Sequence, residues 1–376
     1  MAKEIPQILK GFRDYLPQQQ LVRRKTIAAI SETFERFGFS PIDTPSLEPY
    51  ELFQGKLGED EKLMYQFEDL GGRRVALRYD LTVPLSRVYA ANADLPKPFK
   101  RYQIGNVWRA DKPQKGRFRE FTQCDVDIIG SSSQVAEVEV IAALMAAFQA
   151  LAVGAVEVKY NNRALVDATL TQMSVPQKDI TAFMRALDKL DKIGRDKVLE
   201  QLAAAGISAQ MFDQYGELMD QAGRDYAAKI ESLLASLGIT NMRFDKYLMR
   251  GLDYYTGIVF EFVLKEKPEF GSIGGGGRYD NLIGNLTGTP APAVGGSIGL
   301  DRLLSAVEEI GGLPRASAAQ IVVFNLAEAL TADYLKILRD LRAAGFAAEF
   351  YYEPAKLDKQ FKYAEAKDAK LAVIMG

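Results

Sequence analysis

Residues 101–130, RYQIGNVWRADKPQKGRFREFTQCDVDIIG, constrain the fold more than any other stretch. Tyr102 to Trp108 and Phe118 to Ile129 read as strands, the second with polar and apolar residues interleaved. The loop between them carries Lys112, Pro113, Lys115, Gly116 and Arg117, and predicts an antiparallel hairpin with Arg109 and Arg119 at its mouth. Period-two alternation sends Phe121, Gln123, Asp125 and Asp127 to one face. That surface would offer a fixed guanidinium, an aromatic ring, an amide and carboxylates, a set suited to an anionic nucleotide beside a small zwitterion. A solvated basic hairpin is the plainer reading of the same residues.

With 376 residues, 48% of them hydrophobic and 26% charged, the chain has the size and balance of two or three globular domains. It has no apolar run long enough to cross a bilayer, and MAKEIPQILKGFRDYLP lacks a signal-peptide core, so a cytoplasmic protein with no membrane contact is expected. Cys124 stands alone, which excludes an internal disulfide and a cysteine metal cage. A net charge of −2 confines any nucleic-acid contact to a local basic patch. The chain contains no histidine, which removes a Ser-His-Asp triad, a Cys-His pair, an HExxH site and imidazole as a base. Chemistry must run on arginines, carboxylates and tyrosines, with or without a ligand-borne metal.

Residues 17–37 predict an amphipathic helix, with Pro17 in its first turn, Ile27, Ile30, Phe34 and Phe37 at helical spacing, and Gly38 closing it. Pro41, Pro45 and Pro49 keep the next segment extended, as an interface element or a core strand. MYQFEDL and RRVALRYDLTVPLSR read as strands around Gly71-Gly72, with Arg78, Asp80 and Thr82 sharing a face. Asp80 and Thr82 there either receive a substrate ammonium or cap the helix that follows.

Residues 134–152 predict a helix and VEVKYNN a strand. Residues 164–236 are helical in pattern, with Phe183, Leu187, Leu190 and Ile193 on one stripe; the run resembles a packing module more than a site. Strand character is expected over 247–264, with Arg250, Asp253 and two tyrosines ahead of an apolar run. The four glycines of GSIGGGGRYDNLIG lack the βαβ context of a dinucleotide fingerprint and point instead to close approach of a ligand or backbone at a strand end. Arg302, early in the helix after AVGGSIG, suits a polyphosphate tail, or a surface salt bridge. After GGLPRASAA the order strand, helix, strand, helix, strand predicts a small α/β domain. Its last apolar strand has no closing helix, so an exposed edge and a shortened form are expected.

RYDLTVP, WRADKPQKGRFREFTQCDVDIIG, NNRALVD, RGLDYYTGIVFE, GGGGRYDNLIG and VGGSIGLDRL occur in the order seen in histidyl-tRNA synthetases, and the chain resembles that family over essentially its whole length. RGLDYYTG and GGRYD are characteristic of this group; the arginine hairpin and the glycine–arginine helix are shared by class II synthetases. The resemblance implies an α+β fold, an antiparallel sheet flanked by helices. Residues 1–163 and 237–312 would form the catalytic domain, 164–236 a helical insertion, 313–319 a linker, and 320–376 part of an anticodon-binding α/β domain. It also implies a homodimer through residues 17–50, with ATP, histidine and tRNA-His as partners and Mg2+ brought by ATP.

The implied roles follow residue by residue. Arg109, Arg250 and Gln123 form the catalytic set, with Arg109 bridging α-phosphate and substrate carboxylate, and Arg250 approaching the α-phosphate where other class II enzymes use a metal. Arg302 grips the γ-phosphate, Arg117 assists the phosphates, Phe121 stacks on adenine and Asp111 takes the place of an adenine-contacting glutamate. Asp80 and Thr82 hold the histidine ammonium with Gln123 close by, while Asp127, Tyr254, Tyr255 and Tyr279 frame the imidazole beside Arg250. Gln114 faces the tRNA acceptor end. Ala110 and Thr122 stand where the family commonly has histidines, Asp111 is a methylene shorter than the usual glutamate, and the anticodon-type domain is incomplete against the family pattern. Two other readings are a non-catalytic paralogue, such as the regulatory subunit of ATP phosphoribosyltransferase, and a class II-like ligase for another acid.

Overall fold

The structure is a computed structural model that describes residues 6–204, 206–250, 254–311 and 317–376. The chain divides into two units, Met1–Arg13 with Ala29–Gly311, and Asp14–Ala28 with Gly312–Gly376. In chain order the elements are α1 (Pro17–Arg36), β1 (Ser40–Pro41), β2 (Leu47–Pro49), β3 (Gln66–Glu68), β4 (Arg74–Leu77), α2 (Thr82–Ala91), β5 (Phe99–Trp108) and β6 (Glu120–Ile129). They continue with α3 (Gln134–Ala150), β7 (Val156–Asn162), α4 (Arg163–Gln172), α5 (Gln177–Leu187), α6 (Leu190–Ile193), α7 (Arg195–Ala204) and α8 (Ala209–Ala235). Then come β8 (Met242–Phe244), β9 (Ile258–Leu264), β10 (Ser272–Arg278), α9 (Asp280–Thr287), β11 (Ala293–Gly299) and α10 (Leu300–Glu309). The last are β12 (Ile321–Val323), α11 (Thr331–Ala343), β13 (Ala348–Phe350), α12 (Leu357–Ala366) and β14 (Leu371–Val373).

In the larger unit the described residues form an eight-stranded sheet in the order β1-β5-β6-β11-β10-β9-β7-β8. Its inner pairings are antiparallel, and only β1 on β5 and β8 on β7 run parallel. The β5–β6 hairpin is the expected one, in register from Phe99 opposite Ile129 to Trp108 opposite Glu120. Strand β5 begins three residues earlier than its apolar pattern suggests, and Arg101 thereby faces Asp127. A smaller sheet, β2-β4-β3, turns at Gly72, whose φ of 74° explains the glycine.

The four glycines Gly274–Gly277 lie inside β10, where the expectation put them at a strand end. They allow the close approach that was expected: a Cβ on Gly276 would sit 2.0 Å from the Gly295 carbonyl oxygen of β11. Helix α3 is capped by Ser133, whose hydroxyl accepts from the Val135 N–H at 3.2 Å, and buries Val138, Ile141 and Leu144. The carboxy-terminal half of α1 buries Ile30 and Phe34, with the Phe34 ring 5.9 Å from that of Tyr102, and Gly38 at φ 76° ends it. Helices α4 to α8 share a core that includes Phe183, Leu187, Leu202, Phe212 and Tyr215.

Two local expectations need correction. The strand forecast for 247–264 is confined to Ile258–Leu264 among the described residues. The Asn161 amide takes the carbonyls of Lys246 and Leu248, at 3.2 and 3.1 Å, and those groups are thus diverted from any ladder. Gly251, Leu252 and Asp253 lie outside the described residues, as do position 312 and positions 313–316 of the linker. Arg78, Asp80 and Thr82 do not alternate along one strand, because β4 ends at Leu77 and α2 starts at Thr82. Arg78 turns instead to the Asn106 carbonyl at 2.8 Å and to that of Thr44.

The smaller unit has the expected strand–helix alternation, with β13, β12 and β14 parallel and in that order. Val323, Tyr334, Leu338 and Phe350 form its core. Strand β14 lies at the sheet's edge, where Leu371 is 62% exposed. Among the described residues no helix is long and apolar enough to cross a membrane.

Candidate active site

The carboxyl end of β4, the β5–β6 hairpin, the segment before β9, the glycine strands and the start of α10 enclose a cavity of about 390 Å³. Arg109, Arg250 and Arg302, far apart in sequence, all line it. The Arg109 side chain is oriented by a 3.0 Å bond from Nε to the Tyr79 carbonyl, and its guanidinium lies 4.2 Å from the Tyr79 ring and 5.2 Å from that of Phe121. Arg250 donates to the Phe260 carbonyl at 3.1 Å and sits 3.4 Å from Glu261. Arg302 donates to the Ser272 carbonyl at 2.8 Å.

Burial, then repulsion from Arg117, and also from Arg109 and Arg250, depresses the Arg302 pKa against a smaller opposing pull from Glu261. The guanidinium groups are thus close enough to repel one another. An anion placed among them relieves that repulsion. Arg117 lies at the exposed rim, 3.9 Å from Asp111.

The other side of the cavity is acidic. Asp80 is buried; one oxygen accepts from the Val83 N–H at 3.0 Å, and the other has no hydrogen-bond partner among the described residues. The two readings of Asp80 are therefore compatible, since the carboxylate caps α2 and still presents a free acceptor. Thr82 opens that helix and lines the same wall. Asp127 accepts from the Tyr279 hydroxyl and pairs with Arg101 at 2.7 Å. Gln123 donates to Ser297 at 3.0 Å and leaves its carbonyl oxygen unpartnered among the described residues.

Burial is the main force raising the pKa of Asp80, Asp125 and Asp127, and Asp125 reaches about 7 with the Asp127 and Asp80 charges adding to the shift and Arg101 opposing it. The Tyr254 ring stands 4.9 Å from Tyr255 and 5.9 Å from Tyr279, and burial holds the hydroxyls of Tyr254 and Tyr279 protonated, their pKa values well above normal.

Every site residue forecast from sequence lines this cavity except Gln114. Gln114 is exposed, in a turn closed by reciprocal backbone bonds with Arg117 at 3.1 and 2.9 Å. Sequence reasoning missed Arg101, because the strand start was set at Tyr102. It placed Asp125 on the right face without giving it a role. The helical run resembles a packing module more than a site in sequence, yet Asp188, which caps α5, reaches the cavity wall near Arg250. No periodicity marks such a residue, since a helix end is aimed by tertiary packing.

The family pattern described as Histidyl-tRNA synthetase matches residues 11–303, and one described as Anticodon binding domain matches residues 320–376. A curated histidine–tRNA ligase of Rhodopirellula baltica is 41% identical, over 99% of this chain and 90% of its own length. The crystal structure of histidyl-tRNA synthetase from Nostoc sp. superposes with a TM-score of 0.85 at 30% identity, covering 100% of this chain and 92% of that one. A Bacillus halodurans structure titled as an ATP phosphoribosyltransferase regulatory subunit/histidyl-tRNA synthetase has a TM-score of 0.79 over 99% and 98% of the two chains; at 23% identity it shares the fold alone. With this cavity and similarity that runs nearly end to end, the chain belongs to the histidyl-tRNA synthetase family.

Proposed function

We propose that the chain joins histidine to tRNA-His in two steps, with the convergence of Arg109, Arg250 and Arg302 on one cavity as the observation that carries the reading. In the first step the histidine carboxylate attacks the α-phosphate of ATP, the bond to the bridging oxygen breaks, and pyrophosphate leaves. In the second, a terminal ribose hydroxyl of the tRNA attacks the acyl carbon and AMP leaves. The attacking carboxylate is already ionised, so the first step needs no general base, in keeping with a chain that has no histidine.

What the first step needs is two anions held in line and the charge on phosphorus stabilised. Arg109 bridges the reacting carboxylate and phosphate, Arg250 meets the α-phosphate, and Arg302 with Arg117 holds the outer phosphates. Guanidinium forks suit this because they pair bidentately and stay charged. Phe121 stacks on the base, and Asp111 contacts it. The unpartnered Asp80 oxygen, with Thr82 and Gln123, receives the substrate ammonium. Asp127, Tyr254, Tyr255 and Tyr279 surround the imidazole. Mg2+ belongs to the ATP substrate in this reading; among the described residues no group of three His, Cys, Asp or Glu side chains is disposed to hold an ion.

The wider assignment divides the chain into a catalytic domain (1–163 and 237–312), a helical insertion (164–236), a linker (313–319) and an anticodon-binding domain (320–376). Gln114 contacts the acceptor end, a homodimer forms through residues 17–50, and the protein works in the cytoplasm with its tRNA. The complete arginine set argues against the non-catalytic paralogue. Pyrophosphate exchange dependent on both histidine and ATP is the expected result. Exchange that histidine does not stimulate would overturn the reading.

A further inference from the structure

The segment before α1 takes no part in the chemistry above, yet it touches both phosphate-facing elements. The Arg119 N–H donates to the Gly11 carbonyl at 2.8 Å, and the Arg119 guanidinium to that of Lys10 at 3.3 Å. Gly11 has φ +89°, and a Cβ there would lie 2.9 Å from the side chains of Arg119 and Pro113, so the segment is pressed against the hairpin loop. Two residues on, the Arg13 guanidinium lies 3.7 Å from the Phe118 ring and pairs with Asp301. The Asp301 side chain is 2% exposed, and its other oxygen accepts from the Thr122 N–H at 2.6 Å. One carboxylate thus joins the amino-terminal segment, β6 next to Phe121, and the first turn of α10 next to Arg302.

Charge makes the arrangement consequential. Asp301 lines the cavity, so without a countercharge its carboxylate would oppose a triphosphate held by its neighbour Arg302. Arg13 supplies that charge from outside the cavity. We propose that Arg13 is a positioning residue for the nucleotide, neutralising Asp301 and clamping the hairpin loop to the start of α10. This rests on the synthetase reading. It predicts a defect confined to ATP, because Asp80, Asp127 and the tyrosines belong to other elements.

The test is histidine-dependent pyrophosphate exchange with the full chain. Arg13→Ala should raise the KM for ATP about tenfold and leave the KM for histidine within twofold. Arg13→Lys keeps the charge but loses the planar fork over Phe118, and should give an intermediate KM for ATP. Asp301→Asn should reproduce part of the Arg13→Ala defect, and the double variant should be no worse than the worse single one. If Arg13→Ala does not fold, Arg13→Lys and Asp301→Asn carry the test. An unchanged KM for ATP in a folded variant, or equal rises for both substrates, would overturn the proposal. Wild-type protein without histidine-dependent exchange would instead refute the functional reading on which it rests.

Discussion

Arg101 and Asp127 form a 2.7 Å ion pair beneath the cavity, with side chains only 0% and 3% exposed. The pair spans the β5–β6 hairpin at directly opposed positions and holds Asp127 where Tyr279 also reaches it. Arg101 has further N–H groups without hydrogen-bond partners among the described residues, so its charge is committed largely to this carboxylate and its acidic neighbours.

Breaking such a pair from one side strands the other charge. Arg101→Met is expected to destabilise the larger unit by about 3–5 kcal/mol. Urea unfolding would measure this. Adding Asp127→Asn should restore part of the loss.

Arg250→Ala should slow adenylate formation by ~10²–10³, the usual cost of removing a charge-stabilising donor, and leave histidine binding within a few-fold. Single-turnover kinetics alongside equilibrium histidine binding separates the two. Equal losses in binding and rate would contradict the assigned role.

Asp125 should give the protein a distinctive pH response. Its pKa rises from 3.8 to about 7, chiefly through burial, so in that window the folded chain holds a proton that the unfolded chain has released. The associated stability is complete below 3.8 and lost as pH climbs through about 7. Asp125→Asn abolishes the titration. The stability of that variant relative to wild type should therefore grow with pH, by up to ~1.4 kcal/mol per unit. Unfolding curves at pH 5, 6 and 7 would test it, and a difference independent of pH would count against it.

Gly295 lies opposite Asp127 on β11, and a Cβ there would come within 1.8 Å of the Asp127 carboxylate. Gly295→Ala should displace that carboxylate and raise the KM for histidine at least tenfold, with the KM for ATP changed far less. Exchange assays varying one substrate at a time would show the split. A parallel rise in both constants would mean that the strand itself had moved.

The sequence made legible whatever depended on local pattern. Alternation from Phe121 to Asp127 placed four side chains on the cavity face, and the apolar spacing of Ile30 and Phe34 marked the buried side of α1. What it hid depended on partners distant in the chain. Arg101 lies outside the apolar run that defined its strand, and only cross-strand register reveals its contact with Asp127. Residues 247–250 resemble a strand, but the carbonyls of Lys246 and Leu248 are captured by Asn161, 85 and 87 positions away. Asp188 reaches the cavity from a helix end that nothing in its own segment distinguishes. Asp80 shows that two readings inferred as rivals need not exclude each other, since one oxygen caps α2 and the other has no hydrogen-bond partner among the described residues.

The glycine strand has a consequence for how this pocket can change. A Cβ on Gly275 would meet Arg250, one on Gly276 the β11 backbone, and one on Gly277 the Tyr255 ring. Gly274 and Gly275 of this strand and Gly295 and Gly296 of β11 line the cavity, so at those positions its wall is main chain with no side chain to exchange. Point mutation offers no gradual route to a deeper or shallower recess there. A change of cargo would have to begin on the tyrosine and carboxylate walls, where side chains can be traded singly while the sheet stays as it is.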